Sequence, residues 1–118
     1  MQNSASPTDR YTELLALMGG DRELLVELID VFLEDAPLRI QGVRRTLVDQ
    51  DAEALYRAAH ALKGSAGNFG APDLVSRANH IEALARENDL DAAAIEFEFL
   101  EADMNRLVAE LVSARNLP

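Results

Sequence analysis

Residues 56–70 read YRAAHALKGSAGNFG. They hold His60, one of two histidines, the only lysine, Lys63, and three of the six glycines. An imidazole has a reference pKa near 6.5, so a large share of it is neutral and nucleophilic at pH 7. Such a ring can carry a phosphoryl group on nitrogen. That group would bear about two negative charges near neutral pH. An ammonium one helical turn away would offset part of that charge, and Lys63 stands three residues after His60.

The direction of each side chain follows from an advance of about 100° per residue in a helix. With Leu55 at zero, Ala59, Leu62, Ala66 and Phe69 fall within about 40° of it and form a buried stripe. His60 falls at about 140°, Gly64 at about 180°, Gly67 at about 120° and Lys63 at about 80°. His60 is therefore expected on the outer face, with glycine one and two turns after it. A glycine inside a helix costs about 1 kcal/mol relative to alanine. On an outer face the missing side chain clears space around His60, so that a second protein can bring its reactive group close. Gly70 reads as a helix end, Ser65 and Asn68 as local hydrogen-bonding residues, and His80 as a surface residue.

The surrounding chain supplies helices to hold this face. Leu14, Leu17 and Met18 give an apolar side to a short helix over 10–18, capped by Thr8 or Asp9 and ended by Gly19-Gly20. Asp21 caps a second helix running to about Glu34. Its stripe of Leu24, Leu25, Leu28, Ile29, Val31, Phe32 and Leu33 is wider than one neighbour needs, so part of it is expected to stay exposed. Pro37 either kinks this helix or starts the next, which carries Ile40, Val43 and Leu47. Asp51 caps the His60 helix. Pro72 opens a helix to about Glu87 with Leu74, Ala78, Ile81 and Ala85 inward and Leu84 beside them. The last helix, over 92–114, has a seam of Ala93, Phe97, Leu100, Met104, Leu107, Leu111 and Ala114, widened by Ile95 and Phe99. No segment alternates as a strand would. The expected fold is all-α, an antiparallel four-helix bundle with one or two accessory N-terminal helices. Residues 1–8 are expected as a disordered lead-in and residues 9–118 as a single domain.

Composition narrows the function classes. The chain has 118 residues, 48% of them hydrophobic and only 5% aromatic, which suits a helical bundle. It has no cysteine, which removes thiolate and disulfide chemistry. The net charge of −10 argues against nucleic acid and anionic membrane surfaces as partners. No apolar run approaches the roughly 20 residues of a membrane span, and the N-terminus lacks the pattern of a signal peptide. A cytoplasmic monomer is expected. A bundle-core metal site would need several converging His and carboxylate ligands, and the sequence GxxxxGK[ST] is absent. No metal or cofactor is expected in this chain. Composition alone leaves open a helical adaptor in which His60 is incidental.

With these residues in hand, the stretch resembles the histidine phosphotransfer domains of phosphorelays. Their signature, His followed by x-Leu-Lys-Gly-Ser/Ala, is matched by His60-Ala61-Leu62-Lys63-Gly64-Ser65. Ala66-Gly67, Gly70, Asp51, Leu74, Ala78 and the pattern Ile81-Glu82-x-Leu84 match as well. The similarity extends from about Asp21 to Ala114. It implies a carrier without autokinase activity. His60 would take a phosphoryl group from a receiver-domain aspartyl phosphate and pass it to another receiver aspartate. Lys63 would help hold the phosphate and Gly64 would give the receiver access. The Mg²⁺ for the reaction would sit in the receiver. The receiver would dock on the His60 face, including Gly67, and on the adjoining second helix through Ile29, Phe32 and Leu33. The partners implied are receiver domains or a hybrid histidine kinase, and the chain could equally be a segment of such a kinase. A histidine-kinase dimerisation domain usually has an acidic residue and then Arg-Thr-Pro after its His, which is not found here.

Overall fold

The computed structural model describes residues 7–117, with side chains from Arg10 onward. Five helices make up the architecture: α1 (Pro7–Leu17), α2 (Arg22–Val48), α3 (Ala52–Gly67), α4 (Pro72–Arg86) and α5 (Leu90–Arg115). Helices α2 to α5 form an antiparallel up-down-up-down bundle, with α1 as one accessory helix packed on α5 and α2. Among the described residues there is no strand.

Each turn is set by local chemistry. Asp21, Asp51 and Asp89 cap α2, α3 and α5, their carboxylates accepting from the backbone N–H of Leu24, Ala54 and Ala92. Gly20, Gln50, Gly70 and Asn88 take positive φ in the four connections and turn the chain out of the preceding helix. The lead-in expected over 1–8 is mostly outside the described residues. Where it is described, α1 already begins at Pro7, so Thr8 and Asp9 lie inside its first turn rather than at its cap.

The largest departure from expectation is at Pro37. Helix α2 runs unbroken through it for 27 residues. Pro37 cannot donate to the Leu33 carbonyl. The residue is exposed, at the open groove toward α5, where that carbonyl can turn to water. The buried stripe Leu25, Ile29, Phe32, Ala36, Ile40 and Val43 passes Pro37 at helical spacing. Tertiary packing of that stripe outweighs the one lost bond.

All five helices contribute to one apolar core. Leu14, Leu25, Ile29, Leu55, Leu62, Ile81, Leu100 and Leu111 are fully buried in it. Phe32 and Phe69 meet edge to face with centroids 5.2 Å apart, tying α2 to the end of the His60 helix. Ile95 and Phe99 do not widen the seam of α5. Both are exposed, and Phe99 lies under the Arg77 guanidinium instead.

Candidate functional site

Helix α3 packs most extensively against α4, and the site is built where they meet. Ala59, Leu62 and Ala66 are buried and anchor α3. One residue further round, the His60 side chain keeps 62% of its surface exposed. Its Nδ1 lies 3.0 Å from Glu82 Oε2 on α4. An ionised carboxylate can only accept, so Nδ1 carries the proton and donates it to Glu82. In the neutral ring the lone pair then belongs to Nε2. Among the described residues nothing hydrogen-bonds that nitrogen.

Glu82 serves a second partner. Lys63 Nζ lies 3.1 Å from Glu82 Oε1 and 3.0 Å from Oε2, and donates to Asn79 Oδ1 at 2.9 Å. A carboxylate with only 11% of its side chain exposed is costly to ionise unless it is paired. The Lys63 ammonium and the His60 N–H supply that pairing. Lys63 is therefore not a free cation facing outward. It stands beside His60, one turn on, and is shared with Glu82.

Glycine plays two parts here. A Cβ added at Gly64 would meet nothing within 4 Å, so the surface beside His60 is open. A Cβ at Gly67 would sit 3.9 Å from Val75 Cγ2, an ordinary contact on the α4 side. Gly67 thus borders α4 as well as the outer face. Gly70 has φ +61 and ends the segment. There Arg10 of α1 donates to the Phe69 carbonyl at 2.8 Å, holding the turn that follows α3.

Two of the docking residues expected on α2 are not on the surface. Ile29 is 0% and Phe32 2% exposed, both in the core. Leu33 is half-buried and lines the groove between α2 and α5 with Pro37, Gln41 and Val108, not the His60 side. The exposed apolar side chains of α2 are Leu24, Val31 and Leu38, spaced seven apart on the outward face, and Val48 at its C-terminal end. His80 is exposed as expected, with Nδ1 3.2 Å from Glu96 Oε1.

Glu82 is the site residue that sequence reasoning missed. Its signal was a carboxylate on the inward side of α4, next to Ile81 and four residues after Ala78. Among the described residues no group of three or more His, Cys, Asp or Glu is placed to hold a metal ion. No described helix is long and apolar enough to cross a membrane.

A histidine oriented through Nδ1 by a buried carboxylate, with an ammonium one turn away and open space beside it, can act as a nucleophile toward a group delivered from outside. The family model of the Hpt domain matches residues 27–110, which include every residue of this arrangement. The chain belongs to the Hpt family. Among solved structures, histidine-containing phosphotransfer protein B (HptB) from Pseudomonas aeruginosa PAO1 is similar. It is 27% identical, with a TM-score of 0.81, over 88% of this chain and 90% of that one. None of the curated proteins matches. As an Hpt domain, the chain has a histidine phosphotransfer role in phosphorelays, where such domains interact with receiver domains and histidine kinases.

Proposed function

We propose that His60 is the phosphorylated residue, loaded from the aspartyl phosphate of one receiver domain and unloaded to the aspartate of another. The observation that carries this is the pairing of His60 Nδ1 with Glu82 on a largely exposed side chain, with no hydrogen bond to Nε2 among the described residues. In the forward step the Nε2 lone pair attacks phosphorus. The P–O bond to the receiver aspartate breaks and the aspartate leaves as a carboxylate. The ring keeps its Nδ1 proton and becomes formally cationic, and Glu82 faces that charge at 3.0 Å. No proton has to leave the site, so the same geometry serves the reverse transfer. Lys63 pairs with Glu82 and adds positive charge next to the incoming phosphoryl group.

The open surface at Gly64 gives the receiver its approach. Leu24, Val31 and Leu38 offer it an apolar footing on α2 in place of the buried Ile29 and Phe32. The Mg²⁺ of the reaction belongs to the receiver, and the carrier itself acts as a monomer without autokinase activity.

The test is incubation with a ³²P-labelled phosphorylated receiver. Acid-labile, base-stable label should appear on the parent protein and be absent from His60→Gln. Label taken up equally by both would end the assignment of His60.

A further inference from the structure

The Glu82 hydrogen bond fixes one ring nitrogen of His60 but not the tilt of the ring about that bond. Rotation at χ2 of histidine is broad, so a ring on an exposed helix face needs a second contact to hold its plane. Tyr56, one turn earlier on α3, supplies one. Its ring lies parallel to the imidazole within 12°, with centroids 6.1 Å apart. Tyr56 is itself held from α4. The Arg86 guanidinium carbon sits 4.7 Å above the Tyr56 ring, and Arg86 Nη2 donates to the Tyr56 hydroxyl at 2.7 Å. Arg86 follows Glu82 by one turn of the same helix. His60 is thus contacted in its plane by Glu82 and on its face by Tyr56, and both contacts trace back to α4.

We infer that Tyr56 is a positioning residue of the phosphotransfer site: its ring, braced by Arg86, sets the plane of the His60 imidazole and so the direction in which Nε2 points. This rests on the reading of His60 as carrier. Aromatic stacking suits the task because it restricts tilt without occupying a ring nitrogen. The Arg86 brace combines a cation–π contact with a hydrogen bond, so the tyrosine ring is not free to swing away. Aim matters when the donor is a folded protein, since docking fixes where the phosphorus arrives. It matters little for a small donor, which can approach Nε2 from any open direction.

The experiment compares the parent with Tyr56→Phe, Tyr56→Leu and Arg86→Met. Each is assayed with phosphoramidate as a small donor and with a phosphorylated receiver of the same genome that loads the parent. Ring-to-ring nuclear Overhauser effects between Tyr56 and His60 are recorded in the parent, which needs no donor at all. The expected result is a clear ring-to-ring effect and equal phosphoramidate labelling of all four proteins. Transfer at saturating receiver should fall about three- to tenfold in Tyr56→Leu with KM unchanged. Tyr56→Phe keeps the ring and should stay within about twofold of the parent. Absence of the ring-to-ring effect would overturn the proposal. So would receiver transfer by Tyr56→Leu at the parental rate, or a raised KM with unchanged kcat, which would make Tyr56 a partner contact. Should Tyr56→Leu fail to fold, the surface change Arg86→Met decides: a weakened ring-to-ring effect and slower transfer support the brace, and no change in either overturns it. If phosphoramidate leaves His60 of the parent unlabelled, the carrier reading fails, and the ring contact is then judged by the nuclear Overhauser effect alone.

Discussion

Glu82 satisfies an imidazole N–H and an ammonium with one nearly buried carboxylate. Glu82→Gln keeps the shape of that arrangement and removes its charge. The ring loses the anion that faces its cationic, phosphorylated form, and the amide NH₂ can turn toward Nδ1 and favour the wrong tautomer. Transfer should slow by about an order of magnitude while the helical circular dichroism is kept. A Glu82→Gln protein that transfers at the parental rate would mean that Glu82 only stabilises the bundle. Gly64 calls for the opposite kind of change. Leucine there enters open space and is a far better helix former, so Gly64→Leu should gain about 0.8 kcal/mol in denaturant unfolding. It should also cut transfer from a receiver about tenfold by holding the partner off, with labelling by phosphoramidate unchanged. Loss of both donors' labelling together would place Gly64 in the site's own geometry rather than in access to it. The outward face of α3 was legible in the sequence because one helix obeys one angular period. The direction of His60, the burial of Leu62 and the clearance at Gly64 all follow from that period. Glu82 was not legible, because its meaning depends on which helix α4 packs against and in what register.

The same limit explains α2. Its apolar positions were countable, but dividing them between core and surface requires knowing where α3 and α5 lie. Ile29 and Phe32 turned out to be core and Leu24, Val31 and Leu38 surface. Pro37 was read as a kink or a new start because the local rule is strong, and the seam from Leu25 to Val43 overrode it. If the seam carries the helix there, Pro37→Ala should restore the bond to the Leu33 carbonyl at no cost in packing. A gain of about 1–2 kcal/mol is expected, below the full helix penalty of proline because alanine also frees the unfolded chain. Urea unfolding with an unchanged m-value would check it. The two ends of the bundle offer an electrostatic counterpart. Arg115 at the end of α5 pairs with Asp30 of α2, one of its contacts spanning 3.1 Å. The Arg115 hydrogen bond holds the Asp30 carboxyl below its ordinary value of 3.8. A group whose folded pKa is depressed adds stability above its unfolded pKa and loses it as pH falls through the folded value. The parent should therefore exceed Asp30→Asn in stability at pH 7, by the modest amount usual for an exposed pair. That advantage should shrink as pH drops below about 4, and thermal melts of both proteins across pH 2–7 would show it.

At the scale of the molecule, the accessory helix decides whether the chain melts in one step. Helix α1 places Leu14 in the core with no exposed surface. It also sends Arg10 to the Phe69 carbonyl at the end of α3 and to Glu110 of α5 at 3.2 Å. The turn after the carrier helix is thus held by a segment that lies outside residues 27–110, the part matched by the Hpt family model. Both ends of the carrier helix are closed locally, by Asp51 at the start and by the N–H groups of Phe69 and Gly70 bonding the Ala66 and Gly67 carbonyls at the finish, and α1 adds its contact to the turn beyond. If α1 is an integral part of the fold, removing its buried anchor should weaken everything at once. Leu14→Ala should cost about 2–4 kcal/mol, the usual range for a leucine deleted from a core. The loss should appear as a shift of a single transition. The protein has no tryptophan, and its two tyrosines, Tyr11 and Tyr56, sit on α1 and beside His60. Tyr11→Phe and Tyr56→Phe versions of Leu14→Ala would each leave one tyrosine as reporter, so its fluorescence follows either α1 or the carrier helix, while far-ultraviolet circular dichroism follows the bundle. Coincident denaturation curves at a lower midpoint would establish one cooperative unit. An early Tyr11 transition, with Tyr56 and the helical signal following at the parental midpoint, would instead make α1 a detachable strap over a bundle that stands without it.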